Sequence, residues 1–254
     1  MFEDLRQKVV LITGASTGIG AAAALAFARC GCRLAVHFNA SADAAEHVAN
    51  DVRAVGAEAV TLGADLGRPA EAESVVSRTL AAYGRIDVLV NNAGGMLGRI
   101  RIEDYTEEHI GRVLALNVTQ VAMFMRAIVP VMRHQKSGNI INVTSIAARN
   151  GGGGGAVLYA AAKGFVSTAT RGWAKEVVGD GIRVNAVSPG VILTPFHERY
   201  SNAAQLTAMQ ATVPMNRLGS PEECAGTFLY LASDAVSSYV TGQVIEVNGG
   251  QYMP

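Results

Sequence analysis

The feature that most constrains the fold is an alternation of short β-branched runs with longer alanine-rich stretches of helical period. The runs Val9–Thr13, Leu34–Phe38, Ala59–Gly63, Val88–Asn91, Asn139–Thr144, Arg183–Ser188 and Val244–Val247 are expected to be strands. Helices are expected near Gly18–Arg29, Ala42–Val55, Pro69–Tyr83, Glu107–Arg133, Val157–Val178 and Pro221–Ala232. Such an order signals βαβ units and a parallel sheet. Most of the strand runs are nearly unbroken apolar segments, as strands covered by helices on both faces should be. Of the 254 residues, 50% are hydrophobic and 17% charged, enough apolar surface to cover both faces. No Pro- or Ser-rich linker and no solenoid-length repeat interrupts the pattern. The expectation is therefore an α/β fold. It is one domain over residues 1–254, a doubly wound parallel sheet of about seven strands with helices on both faces.

Charge narrows the function. Lys plus Arg and Asp plus Glu both count 21, so the formal net charge is zero. That balance gives no electrostatic footprint for nucleic acid or an anionic membrane. No uninterrupted apolar run of spanning length stands out, and no membrane helix is expected. The polar start Met1–Lys8 leads straight into a strand and is unlike a signal peptide. Cys30, Cys32 and Cys224 make a poor disulfide framework and lack the spacing and partners of a metal site, so no metal is expected. They read as small buried thiols in a reducing compartment, which points to the cytoplasm.

The first strand ends in Thr13-Gly14-Ala15-Ser16-Thr17-Gly18-Ile19-Gly20 and gives way at once to a helix. Strand, tight glycine turn and helix together form a setting for phosphate. Glycines let backbone N–H groups approach a pyrophosphate, and the helix N-terminus holds its charge. Ser16 and Thr17 add hydroxyl donors. A glycine cluster by itself is also compatible with a plain turn under close helix–strand packing.

Ser145 closes the fifth strand, and Tyr159 and Lys163 stand four apart on the following helix, on one face. A free tyrosine has a pKa of ~10. A nearby ammonium is expected to lower it by roughly 1–3 pH units, making Tyr159 a general acid/base. Ser145 can hold the oxygen that Tyr159 protonates. A tyrosine and a lysine on one helix face are more often an edge-of-core ring and a solvated charge. The order of glycine turn, Asn117, strand-end serine and Tyr–Lys pair argues for chemistry instead. Residues 151–155, five glycines, read either as a flexible connection or as a loop that allows close approach to substrate.

From the Gly14-x-x-x-Gly18-x-Gly20 spacing onward, nearly the whole chain resembles the short-chain dehydrogenase/reductase family, of Rossmann type. The resemblance implies an NAD(P)-dependent oxidoreductase moving a hydride between nicotinamide and a ketone or secondary alcohol. It implies that Asn117, Ser145, Tyr159 and Lys163 are catalytic, Asn117 holding a water in a relay through Lys163. It places Asn92, Ala93 and Gly94 beside the adenosine half of the cofactor, and Asp65 with Leu66 at the adenine. Pro189, Gly190, Ile192 and Thr194 would clasp the nicotinamide carboxamide, and Ile19 would join the phosphate turn. This chain departs from the family in two ways: the Ser145–Tyr159 interval is one residue longer than usual, and Ala162 replaces a frequent serine.

Phe38 occupies the position where NAD-specific members carry an acid, and Asn39 or Ser41 can hydrogen-bond a 2′-phosphate. NADP is therefore preferred over NAD, although Thr17 stands where many NADP enzymes have a basic residue. His37 is expected to pack or bond locally, and His197 reads as an ordinary polar loop residue. Residues 195–217 are expected to form a substrate lid, with Phe196, Tyr200, Met209 and Met215 facing Met96 and Leu97. The pattern most resembles 3-oxoacyl-(acyl-carrier-protein) reductases. Sugar and polyol dehydrogenases share the motifs, and a non-catalytic dinucleotide sensor is the reading of a different class. Family members pair the helices at Val113–Met132 and Val157–Val178 across subunits, implying a homotetramer, to which the tail Asn248–Pro254 would add contacts. The partner expected is a small carbonyl or alcohol substrate.

Overall fold

A computed structural model describes residues 2–254. In chain order the elements begin β1 Val9–Ile12, α1 Gly18–Arg29, β2 Arg33–Phe38, α2 Ala42–Ala54, β3 Ala59–Gly63, α3 Glu71–Tyr83 and β4 Val88–Asn91. Then come α4 Glu107–Leu114, α5 Gln120–Gln135, β5 Gly138–Val143, α6 Ala147–Asn150, α7 Val157–Val177 and β6 Ile182–Pro189. The chain finishes with α8 Pro195–Tyr200, α9 Ala203–Gln210, α10 Pro221–Ala232, α11 Asp234–Ser237 and β7 Val244–Val247. All seven strands are parallel, in the order β3-β2-β1-β4-β5-β6-β7.

The unbroken apolar strand runs have the cause the sequence suggested. Val10, Ile12, Leu34, Val36, Val88, Val90, Ile141 and Val143 point to one face, where they meet α1, α2 and α10 through Ala24, Phe27, Ala45 and Phe228. Leu11, Ala35, Leu89 and Ile140 point to the other face, against Val75, Phe124, Ile128 and Val177 of α3, α5 and α7. Alternate side chains feed two cores, so neither parity forms a solvent face. The chain steps from β3 at one edge to β4 on the far side of β1. The strand order therefore reverses between β1 and β4, where such sheets open a crevice at their carboxyl ends.

Three departures from the sequence expectation matter. The helix foreseen over Glu107–Arg133 is widened by a π-turn at Ala115–Thr119 between α4 and α5, an insertion often found at functional sites. An 18-residue window of its whole run, Glu107–Gln135, has a mean hydropathy of 1.5, enough by length and composition alone to pass for a bilayer span, which the sequence reading did not mark. Its inner stripe, Phe124, Ile128 and Met132, is fully buried in the core of this protein. The region foreseen as a lid contains two helices. Pro195 opens α8, and a reciprocal capping box between Asn202 and Gln205 starts α9, with bonds of 2.8 and 2.9 Å.

Candidate active site

The crevice is a cleft of about 760 Å³ that runs from the turn after β1, across the ends of β4 and β5, to α8 and α9. At one end the glycine turn is built to leave its backbone open. Gly14 and Gly18 hold φ of +62° and +59°, a region that disfavours side chains. A Cβ on Gly20 would stand 2.4 Å from the Gly14 carbonyl and 2.6 Å from Asn92 Nδ2. The N-terminal turn of α1 carries no acid, and its cap residue, Thr17, makes no side-chain bond to it. Its first N–H groups have no intrahelical partner. The cradle fits the pyrophosphate of a dinucleotide.

Neighbouring strands hold the turn in place. His37 Nδ1 accepts from the Gly14 N–H at 3.0 Å while its Nε2 faces the Ala64 carbonyl at 3.1 Å. Burial pushes the His37 pKa down to about 4, so the ring is neutral near pH 7. Asn92 Nδ2 donates to the carbonyls of Thr13 and Gly14, both at 2.9 Å. Thr13 Oγ1 accepts from the N–H groups of Asn92 and Ala93, at 3.0 and 2.9 Å. The Asn92 amide, expected beside the cofactor, thus supports the turn from beneath.

Most of the residues named from the sequence meet in this cleft. Gly14, Ser16, Thr17, Gly18, Ile19, Asn39, Ser41, Leu66, Asn92, Ala93, Gly94, Ser145, Tyr159, Lys163, Pro189, Gly190, Ile192 and Thr194 all line it. Four do not. Phe38 is the clearest correction: side chains alternate along β2, so its ring turns to the α1–α2 face and lies against Gly63. His37 takes the cleft side instead, followed by Asn39, Ala40 and Ser41. Asp65 accepts from the Gly67 N–H at 2.9 Å and faces Arg68 at 3.7 Å. Gly20 and Asn117 stand one layer back.

Asn117, fully buried in the π-turn, grips the chain after β4. Its Oδ1 accepts from the Gly95 N–H at 3.1 Å, and its Nδ2 donates to the carbonyls of Gly95 and Val113, both at 2.9 Å. A Cβ on Gly94 would fall 2.8 Å from Asn117 Oδ1 and 3.1 Å from Lys163 Nζ. Only glycine leaves both groups their room there.

Strand β5 and helix α7 are tied twice at the centre. Lys163 Nζ donates to the Val143 carbonyl at 2.8 Å, and Thr144 Oγ1 donates to the Lys163 carbonyl at 2.8 Å. The Ser145 side chain faces Tyr159 and acts to lower its pKa, and its Oγ accepts from the Ala147 N–H at 3.1 Å. Lys163 Nζ lies 5.7 Å from the centre of the Tyr159 ring. The pKa order differs from the sequence expectation. Burial pushes Tyr159 up to about 12, offset in part by the Ser145 side chain, and brings Lys163 down to about 8. In the protein alone, desolvation sets the direction of both shifts, because the charged form of each group loses hydration.

At the far end the rings of Phe196 and Tyr200 cover Tyr159. Their centres are 4.9 Å apart, and Phe196 lies 5.6 Å from Tyr159. Met96, Leu97 and Met209 line this end as foreseen; Met215 does not, being 65% exposed. Arg99, which no local motif marks, ties the end of α8 to the glycine run. Its Nε donates to the Tyr200 carbonyl and its NH1 group to that of Gly154, both at 2.9 Å. Gly155, with φ +74°, has no room for a Cβ, which would meet Arg99 Cβ at 2.9 Å. Gln251 from the tail also reaches the cleft and donates to Thr212 Oγ1 at 2.7 Å. A pocket residue supplied by a distant loop leaves no trace in local spacing.

Comparison with known proteins agrees with this geometry. Residues 14–251 match a family model described as enoyl-(acyl carrier protein) reductase. The chain is 41% identical to a 3-oxoacyl-(acyl-carrier-protein) reductase of Synechocystis sp., over 98% of each chain. Its fold is similar to the crystal structure of an NADH-dependent reductase, A1-R', responsible for alginate metabolism, with TM-score 0.92, 35% identity and all of both chains covered. The complex of that reductase with NAD aligns with TM-score 0.89. A short-chain type dehydrogenase/reductase from Mycobacterium marinum aligns with TM-score 0.91 and 36% identity over 100% of this chain and 98% of the other.

Proposed function

Because the chain belongs to the short-chain dehydrogenase/reductase family and is an NAD(P)-dependent oxidoreductase, we propose that it reduces a ketone to a secondary alcohol, with NADP preferred over NAD. The observation that carries this reading is the Ser145–Tyr159 hydroxyl pair at the end of β5, beside buried Lys163. It shares one cleft with the glycine cradle.

A bound nicotinamide supplies the hydride. Ser145 holds the substrate oxygen, and Tyr159 gives it the proton as negative charge develops there. Lys163, fixed at the Val143 carbonyl, keeps a positive charge by the phenol as that proton leaves, and Asn117 orders the backbone behind both. The positive nicotinamide ring adds to this and works against the burial that holds Tyr159 high. Residues 195–217 act as a lid that keeps water from the reacting carbon.

Support for NADP comes from the adenosine end of the cleft, where no carboxylate repels a 2′-phosphate and Asn39 and Ser41 offer polar groups. Support for a 3-oxoacyl thioester as substrate comes from the Synechocystis relative. The likeness to the alginate-metabolism reductase favours a second reading, a carbohydrate-derived carbonyl. The three free thiols fit a reducing compartment and hence a cytoplasmic location.

Two measurements test the proposal. Parallel fluorescence titrations with NADPH and NADH should show tighter NADPH binding, and the opposite order would overturn the cofactor preference. Tyr159→Phe should lower kcat by about 10²–10⁴ with little change in dinucleotide Kd. If most of the activity survived, Tyr159 would not be the acid.

A further inference from the structure

The substrate end of the cleft is one-sided in charge. No Asp or Glu lines the cleft, whereas Arg99, Lys163 and Arg199 do. The mouth beyond the lid repeats the bias: Arg99 and Arg199 line it, again with no acid. Nine ion pairs occur among the described residues, and neither arginine belongs to one. Glu198, the acid next to Arg199 in α8, lines neither the cleft nor its mouth. The amide and hydroxyl groups there, Asn150, Gln205, Thr212 and Gln251 among them, carry no charge.

Arg99 is held in position: its Nε and one terminal nitrogen donate to the Tyr200 and Gly154 carbonyls, which accept the hydrogen bonds but cancel no charge. Its field reaches across the lid and, after burial, helps hold the His197 pKa down. The Arg199 side chain makes no hydrogen bond or ion pair among the described residues, and the residue stands exposed at the rim. Two uncancelled guanidinium groups in a partly enclosed cleft attract anions from a distance and can bind a carboxylate or phosphate through paired N–H groups.

On the strength of the reductase reading above, we propose that Arg99 and Arg199 select a carbonyl substrate that itself carries a negative charge, held at the lid end while its ketone lies at Tyr159 and Ser145. The charge is a carboxylate or the phosphate of a thioester carrier. In the reduction NAD(P)H gives a hydride to the carbonyl carbon and becomes NAD(P)⁺, while the carbonyl oxygen takes a proton from Tyr159. The anion stays unchanged and serves for binding alone.

The test is a ratio. With NADPH, kcat/KM is measured for acetoacetate and levulinate, each against its ethyl ester, and for acetoacetyl-CoA against acetoacetyl-N-acetylcysteamine. In the native protein at least one charged member should exceed its neutral partner by about tenfold or more at low salt. The excess should shrink as salt is added. Arg199→Ala should reduce it severalfold and Arg199→Glu reverse it, while Arg199→Lys retains part. A preference seen with the oxo acids assigns the charge to a carboxylate; one confined to the coenzyme A thioester assigns it to a carrier phosphate. Turnover of the esters with ratios near one, or ratios that Arg199→Glu leaves unmoved, overturns the anion proposal and leaves the reductase reading standing. If nothing turns over, calorimetric titration of the NADP⁺-saturated protein with levulinate and ethyl levulinate decides. Levulinate binding no tighter than its ester overturns the proposal. Failure to bind either dinucleotide overturns the reductase reading itself.

Discussion

His37 is 1% exposed and lies between two main-chain groups of opposite polarity. Only the tautomer protonated on Nε2 satisfies both, accepting from Gly14 and donating to Ala64. A second ring proton would face the Gly14 N–H. With a folded pKa of about 4 against 6.5, the unfolded chain binds a proton that the folded chain refuses throughout that interval. Stability therefore rises with pH between those values, is complete above the upper one, and falls as acid is added. Urea unfolding at about pH 7 and about pH 5 should show the native protein losing ~2 kcal/mol more than His37→Gln, which cannot titrate. Equal losses would show that His37 does not carry the effect. The same two bonds position the phosphate turn, so His37→Leu should weaken NADPH binding by about tenfold, read by fluorescence titration. The sequence pointed to local bonding for His37. It could not show which atoms, since Ala64 lies just past the end of β3.

At the scale of elements, the site depends on two backbone turns with different tolerances. Gly20 in the first turn of α1 has no room for a methyl group, because the Gly14 carbonyl and Asn92 already fill that space. Gly20→Ala should cost about 1–3 kcal/mol in thermal or urea unfolding and also weaken dinucleotide binding, as the turn must shift to admit the methyl. Gly226 in α10 has open space around it. Gly226→Ala should instead add about 0.5–1 kcal/mol, because alanine loses less entropy in a helix. If both substitutions behaved alike, the cradle geometry would not set the difference. The glycine run after α6 divides in the same way. Gly151 caps that helix at φ +80°, and Gly155 is packed against Arg99, whereas Gly154 faces open space and contributes its carbonyl to Arg99. The run is thus held at its ends, a state that five identical residues could not disclose.

At the scale of the whole molecule, the outer sides of the helices around the site carry exposed apolar side chains. Leu114, Val157 and Phe165 are each more than two-fifths exposed, and Phe165 meets Trp173 edge to face at 6.3 Å. A homotetramer pairing these helices would cover them. Light scattering should return about four times the 26.5 kDa subunit mass. Phe165→Glu should lower that mass, and a native monomer at micromolar concentration would refute the assembly. The sequence by itself determined the sheet, its helices, the glycine turn and the order of Ser145, Tyr159 and Lys163, because periodicity and short-range spacing are written along the chain. The sequence reading put Phe38 at the cofactor, and only the folded β2 and its pairing with β3 showed that the ring leaves the cleft and lies on Gly63. Tertiary structure alone decided three things: that Arg99 joins the glycine run to the end of α8, that Gln251 returns to the cleft, and that burial leaves Tyr159 high and Lys163 low. Contacts between residues distant in sequence and the loss of water around a charge are properties of the packed chain, and no local pattern encodes them.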